Sequence, residues 1–356
     1  MSRFHPVTIA DIRRETANSV SLGFVLPDEL KDKFAFIPGQ YLTLRATIDG
    51  EDLRRSYSIC SALDDDQLRV GIKKVAGGAF STYANEQLKI GDTLAVMPPQ
   101  GRFTLDLGKR GQHLLGIAAG SGITPILSIA KSQLSRDPTA RFTLIYGNQT
   151  AQSVMFAEEW EDLKNRAMGR LSIVHIMSRE VQDVALLAGR MSGERIKALA
   201  KGIVDVSDVD EAYLCGPQAM IADVSLALAG LGLASERIHS ELFISAAPRA
   251  AFRAPAAMPS TRVLSRISVT LDGASRAFEM DEDADNIVDA AARAGLDLPY
   301  SCKGGMCCTC RCKVIDGSVT MALNYSLEDW ELNAGFVLAC QARPETPSVT
   351  LDFDQL

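Results

Sequence analysis

Eight cysteines stand in this chain, and four of them carry its most specific chemistry. Cys302, Cys307, Cys310 and Cys340 follow the spacing C-x4-C-x2-C, then a lone cysteine after a long gap. Thiolates in that order can hold the two irons of a 2Fe-2S cluster, a one-electron centre. A zinc site ordinarily shows two compact C-x2-C knuckles, whereas here the single knuckle Cys307 to Cys310 is followed by a distant thiol. Gly304 and Gly305 let the loop backbone fold close to inorganic sulfurs, so that amide N–H groups can hydrogen-bond to them. Cys308 and Cys312 fall outside the pattern and are expected to pack inside the loop. Five of the eight cysteines crowd into residues 302 to 312. Disulfides between neighbours there would be strained, so the composition favours a reduced compartment with metal ligation.

Three further motifs have chemical potential. Arg55-Ser56-Tyr57-Ser58 follows a predicted strand and ends near Cys60 and Ser61, and by itself it reads as plain exposed surface at least as readily as a binding site. About twenty residues on, Gly77-Gly78-Ala79-Phe80-Ser81-Thr82 runs a glycine pair into a helix start with hydroxyl capping residues, a place where free N–H groups and the helix dipole receive a pyrophosphate. Gly120, Gly122, Thr124 and Pro125 lie in AAGSGITP directly between a strand and a helix. That is G-x-G-x-x-P, short of the third glycine of the dinucleotide fingerprint, but in the right context. Cys215-Gly216-Pro217 ends a later strand, where open sheets place their ligands. No acidic residue closes the second strand, IYGNQT, to clamp a ribose hydroxyl. After the third strand come Ser178 and Arg179, and an arginine there can receive a 2′-phosphate, which favours NADPH while leaving NADH possible.

These motifs need elements to hold them. Residues 1–107 alternate in short segments such as Tyr41 to Arg45 and Leu68 to Ile72 between Gly, Pro and Asp punctuation, which predicts an antiparallel β-barrel. Residues 108–244 alternate apolar strands with helical stretches, as in LLGIAA then PILSIAKSQL, and predict an α/β parallel-sheet nucleotide-binding domain. The Ala/Pro-rich run at 245–262 has no apolar periodicity and is expected to be a semi-rigid linker. The last module, 263–356, carries a strand pair around ISVTLDG and RAFEM, a helix near Asn286 to Ala294, and then the cysteine loop. The fold class is thus multidomain.

Composition narrows the function. Of 356 residues, 47% are apolar and 23% charged, as in globular proteins. From Leu264 onward there are 7 Lys and Arg against 15 Asp and Glu, so this module carries −8 and the rest of the chain +1 of the net charge of −7. An acidic module is either simply soluble or docks on a basic partner. No basic stripe calls for nucleic acid, and no membrane association is indicated, because the uncharged run from Gln112 to Ala130 is broken by glycines and a proline. With no apolar leader in MSRFHPVTI, the expected location is cytoplasmic.

Pro38-Gly39-Gln40-Tyr41, Arg55 to Ser58, Gly77-Gly78 with Ser81, Gly101 with Phe103, Gly120 to Pro125 and Cys215-Gly216-Pro217 together resemble the ferredoxin-NADP reductase superfamily. With a C-terminal plant-type ferredoxin module of the β-grasp (α+β) kind, the order is similar to reductase components of multicomponent oxygenases. The Gly-Gly-x-x-Ser helix start implies FAD rather than the FMN of the phthalate dioxygenase reductase type. LIYGNQT, EEWEDLKNR, Asn324 to Asp329 and Gly335 to Ala342 look like the branch serving phenylacetyl-CoA epoxidase, a di-iron oxygenase of aerobic phenylacetate catabolism. The resemblance implies a relay from NADPH through FAD to the 2Fe-2S cluster and on to an oxygenase component. Within it, Arg55, Ser56, Gly77, Gly78, Ser81 and Thr82 hold flavin phosphates, Tyr57 packs on the ring and Ser58 lies near its reactive nitrogen. Thr124 approaches from the sheet domain, Cys215 and Gly216 lie beside the nicotinamide, and Glu241 and Phe243 shield the open flavin face. The alternatives are service to a Rieske-type or other oxygenase, and a redox sensor without turnover.

Overall fold

The computed structural model describes residues 4–243, 265–281 and 284–355. These divide into two compact units, the larger holding two N-terminal sheets and the smaller the C-terminal module. The run expected to be a linker, 245–262, lies outside the described residues.

The first sheet has six antiparallel strands, β1 (His5–Thr16), β2 (Ser19–Val25), β3 (Tyr41–Ile48), β4 (Glu51–Ser58), β5 (Leu68–Lys73) and β6 (Thr93–Val96). Their order is β4-β3-β6-β1-β2-β5, and a bridge between Ile59 and Val70, just beyond β4, joins the two outer strands into a barrel. Alternation drives this closure: Leu68, Val70 and Ile72 turn into a core with Val7, Ile9, Leu22, Leu42 and Leu44. Each such side chain removed from water contributes roughly 1.5–3 kcal/mol. The two helices here are α1 (Asp28–Lys31) and α2 (Ala79–Glu86), and Phe80 of α2 is 1% exposed in the barrel core.

The second sheet is parallel. β7 (His113–Ala119), β8 (Arg141–Asn148), β9 (Leu171–Met177), β10 (Glu211–Gly216) and β11 (Ile238–Leu242) lie in the order β11-β10-β7-β8-β9. The chain enters at the centre in β7, moves outward through β8 and β9, and returns on the other side in β10. The switch point therefore falls between β7 and β10, where open sheets form a ligand crevice. Helices α3 (Ile123–Arg136), α4 (Ala157–Ala167), α5 (Gly193–Leu199) and α6 (Gln218–Gly230) cover its faces. Sheets covered on both faces need nearly continuous apolar strands, and every residue of β10 is buried.

One row of α3 fastens this sheet to the barrel. Ser128 Oγ donates to the Ser61 carbonyl at 2.7 Å, Ser132 Oγ accepts from the Leu63 amide at 3.2 Å, and Lys131 Nζ pairs with Asp65 at 2.5 Å and with Glu159. The Lys131 ammonium is buried and its carboxylate partners half-buried, so losing them would leave a poorly solvated charge at the joint.

The smaller unit has β12 (Ser265–Leu271), β13 (Ala274–Met280), α7 (Ile287–Arg293), β14 (Arg311–Asp316), β15 (Val319–Met321), α8 (Asp329–Asn333), β16 (Phe336–Leu338), β17 (Ala342–Pro344) and β18 (Ser348–Asp352). Five strands form a mixed sheet in the order β13-β12-β18-β14-β16, in which only β12 and β18 are parallel. Asn286 caps α7 by accepting the Asp289 amide at 3.0 Å, and Ile287, Val288 and Ala291 bury its other face on the sheet. The cysteine loop spans the gap from α7 to β14.

Candidate functional site

At the switch point, residues Gly120 to Gly122 form a single 3-10 turn that runs straight into α3. Gly120 is left-handed (φ 55°) and Tyr146 Oη donates to its carbonyl at 3.0 Å. Gly122 is required by a close approach: a β-carbon there would stand 2.2 Å from the Cys215 carbonyl oxygen. The first two glycines of the motif thus let β7, β10 and the helix start meet. Thr124 is 1% exposed, and its hydroxyl donates to the Ser121 carbonyl at 3.0 Å. A β-carbon on Gly71 of β5 would come within 2.6 Å of the Thr124 methyl, so barrel and loop touch at this point. Pro125 is buried in the first turn of α3, where a missing N–H costs nothing.

Three residues far apart in sequence converge beside this loop. Ser58, at the end of β4, donates to Glu241 Oε2 at 3.1 Å, and Glu241 stands in register with Cys215 on the parallel pair β10 and β11. Burial raises the Glu241 carboxyl to about 7, with the Ser58 hydroxyl pulling the other way. Burial likewise pushes the Cys215 thiol well up, so it stays neutral. Phe243 donates its amide to the Gly216 carbonyl at 3.0 Å and packs against the core of the sheet. Ser58, Cys215, Gly216, Glu241 and Phe243 are therefore gathered in one place.

Lys73 was not singled out by the sequence. Its neighbours Gly71 and Arg69 show that odd positions of β5 face away from the barrel core, and Lys73 Nζ lies 3.5 Å from where a β-carbon on Gly120 would be. Burial pulls its pKa down, and it makes no ion pair among the described residues. The period-2 register of LRVGIK, ending four residues before the glycine pair, was the signal available.

On the barrel side Tyr57 packs on Phe80, with ring centroids 5.7 Å apart. Arg55 lies on β4 with its guanidinium on the Arg54 carbonyl at 2.7 Å, and Ser56 is between them and Tyr57 along the strand. The glycine pair enters α2 as expected, with Gly77 left-handed (φ 72°) and Gly78 at the N-cap. The hydroxyls, however, do not cap. Ser81 Oγ donates to the Gly78 carbonyl at 3.0 Å and accepts from the Val75 amide at 3.1 Å, which ties the turn backward. Thr82 donates its amide to the Gly78 carbonyl at 3.0 Å, and no side chain makes a capping hydrogen bond at the helix start. The first-turn amides are thus left for an anion.

At the edge of the parallel sheet, the Ser178 and Arg179 amides donate to the Asn148 and Gln149 carbonyls at 2.9 and 2.8 Å. This extends the ladder beyond β8 and β9 and leaves the Arg179 side chain exposed. Glu180 turns aside to accept from the Ala151 amide at 2.6 Å, so it does not compete for a phosphate there.

In the smaller unit all four pattern cysteines are free thiols that neighbour one another in two pairs, Cys302 with Cys307 and Cys310 with Cys340. Two pairs are what two irons need. The Gly304 amide donates to Cys302 Sγ at 3.3 Å, and its Cys307 partner together with the Gly304, Met306 and Cys307 amides holds the Cys302 thiol below its ordinary pKa. The bend that aims these amides uses left-handed Lys303, Gly305 and Cys308. Asn324, Ser326 and Leu327 form a turn over the loop, and Ser326 Oγ donates to the Gly305 carbonyl at 3.2 Å. Of the two extra thiols, Cys308 is half-buried with its Sγ 3.7 Å from the Ser326 carbonyl, and Cys312 is fully buried against the Val337 carbonyl. The donor set, with amides aimed at the sulfurs, fits a 2Fe-2S cluster.

Family models match all three parts: an oxidoreductase FAD-binding domain over residues 6–105, an oxidoreductase NAD-binding domain over 117–226 and a 2Fe-2S iron-sulfur cluster binding domain over 269–345. Among curated proteins, a component of the 1,2-phenylacetyl-CoA epoxidase of Escherichia coli (strain K12) is 44% identical over 99% of each chain. This chain belongs to the family of oxygenase reductase components. The ferredoxin reductase component of 3-ketosteroid-9-alpha-monooxygenase from Rhodococcus rhodochrous is 34% identical over 99% of this chain and 97% of that one. In fold, the reductase matches phthalate dioxygenase reductase over 98% of both chains, with a TM-score of 0.60 at 21% identity. It is an NAD(P)H-dependent flavin and iron–sulfur oxidoreductase. No described helix is long and apolar enough to cross a membrane.

Proposed function

We propose that this reductase draws electrons from NADPH and delivers them to the di-iron oxygenase component of a phenylacetyl-CoA epoxidase, in the cytoplasm. Full-length identity of 44% to a component of that enzyme carries the reading. Bound FAD would take up two electrons at once and release them singly to the 2Fe-2S centre, which is the chemistry the cofactors supply.

The protein's own residues hold and orient. Arg55, Ser56, Gly77, Gly78, Ser81 and Thr82 form the flavin phosphate site, the free first-turn amides of α2 taking the negative charge. Tyr57 presents its ring to the flavin, and the Ser58 hydroxyl, fixed by Glu241, faces the flavin's reactive edge. Cys215 and Gly216 flank the nicotinamide, with Thr124 holding the loop and Phe243 covering the open face. Gly120 and Gly122 admit the nucleotide backbone, Lys73 neutralises its pyrophosphate, and Ser178 with Arg179 takes the 2′-phosphate. Cys302 and Cys307 would hold one iron of the cluster, and Cys310 and Cys340 the other. The parts divide at 1–107, 108–244 and 263–356.

Reconstitution tests the whole. Purified reductase, NADPH, the epoxidase oxygenase subunits and phenylacetyl-CoA should yield epoxide-derived product. Rapid NADPH oxidation with ferricyanide but no product would assign the reductase to another oxygenase.

A further inference from the structure

Gln341 follows Cys340 directly, is 7% exposed, and belongs to none of the motifs above that bind a cofactor. Its side-chain nitrogen lies 2.9 Å from the Lys303 carbonyl and 3.6 Å from Cys340 Sγ. A carbonyl can only accept, so the nitrogen end of the amide must face Lys303, and the same NH2 group then presents its second hydrogen to the sulfur. The backbone of Gln341 is pinned on both sides, its amide on the Leu338 carbonyl at 2.8 Å and its carbonyl receiving the Ala322 amide at 3.0 Å. Its Cγ meets the bend at Gly305, where a β-carbon would stand 3.4 Å away. The side chain therefore has one orientation available.

The two sulfur pairs consequently receive donors of different kinds. Cys302 takes the Gly304 backbone N–H at 3.3 Å, which substitution cannot remove. Cys340 takes the Gly305 backbone N–H and, in addition, the Gln341 side-chain N–H, and only the second can be removed by substitution.

We propose that Gln341 is a positioning residue that raises the reduction potential of the cluster by hydrogen-bonding the Cys340 thiolate while anchoring the loop at Lys303. An added electron increases negative charge on the ligand sulfurs, so an N–H donor stabilises the reduced state more than the oxidised one. The proposal rests on Cys340 being a ligand.

The test is an EPR-monitored redox titration of the full-length holoprotein. Gln341→Met keeps the volume and removes the donor; its cluster midpoint should fall by the equivalent of up to a tenfold change in the reduction equilibrium, about 59 mV for one electron. The flavin potential, followed by absorbance in the same sample, should not move. Gln341→Glu keeps the shape but replaces the donor with a carboxylate, and should lower the midpoint further. A Met variant with full iron and an unmoved midpoint overturns the proposal, as does a Glu variant at or above the wild-type value. If the Met variant assembles no cluster, the Glu variant decides. Loss of iron from both assigns Gln341 to loop architecture alone and overturns the proposal too. A wild-type protein without a 2Fe-2S signal would instead refute the ligand assignment, a distinguishable failure.

Discussion

The nucleotide crevice draws Ser58, Lys73, Gly120, Cys215 and Glu241 from five separate stretches of chain, whereas three of the four pattern thiols lie within the nine residues from Cys302 to Cys310. The crevice depends on two sheets being held against each other by α3 and on the order of strands in one of them. The cysteine loop depends on its own bends, aided by a single return of the chain at Cys340. In the crevice the charged groups are few and half-buried, with Glu241 raised toward neutrality. In the loop the backbone supplies the polar environment, with amides turned toward sulfur. A site made from distant strands is tuned by packing, and a site made from one loop by local backbone geometry.

Removing one ligand should separate the two regions most completely. In Cys340→Ser, flavin reduction by NADPH should persist while electron transfer to an acceptor protein drops to background. A variant that still feeds its oxygenase normally would break the assignment of the loop as the exit.

Next in size is the nucleotide edge of the crevice. Arg179→Ala should cost about 10- to 100-fold in kcat/KM with NADPH, the worth of a charge-assisted hydrogen bond of roughly 1.5–3 kcal/mol, and leave NADH nearly unchanged. Lys73→Ala should weaken both nucleotides alike, because the pyrophosphate is common to them. Equal losses in both variants would remove the distinction between the two cations.

Gly122→Ala probes the packing itself. Its β-carbon would meet the Cys215 carbonyl at 2.2 Å, and overpacking of that kind costs about 1–3 kcal/mol, read as a lower denaturation midpoint. Unchanged stability would mean that the crevice yields more easily than its backbone contacts imply.

A pH-dependent effect concerns Glu241, whose carboxyl sits at about 7 in the folded chain against an ordinary 4.5. Between those values the folded state binds more protons than the unfolded one, so stability contributed at low pH is lost as pH rises through about 7. Without flavin, the wild type should lose stability relative to Glu241→Gln over that window. Parallel pH profiles would show that the carboxyl is not buried as described.

Much of this was legible in the residues. The barrel strands Tyr41 to Arg45 and Leu68 to Ile72, the strand and helix alternation after Gln112, and the helix from Asn286 follow from period 2, apolar runs and a cap, all local signals. The hydroxyls of Ser81 and Thr82 looked like caps because Ser and Thr favour that position, yet Gly78 takes it and Ser81 bonds backward. Lys73 and Gln341 were missed because a lysine at a strand end and a glutamine beside a cysteine have no distinguishing spacing. Only neighbours brought from elsewhere, Gly120 for one and Lys303 for the other, give them roles.

By itself the sequence determined the class of each part and the cysteine pattern, because helix caps, strand alternation and ligand spacing act between residues a few positions apart. Tertiary structure alone decided that Ser58 meets Glu241, that Gly122 lies under the Cys215 carbonyl, and that the Gln341 amide reaches Cys340 and Lys303 together. Such contacts are fixed by strand order, sheet-on-sheet packing and loop return, and steric fit between distant segments leaves no periodicity in the chain.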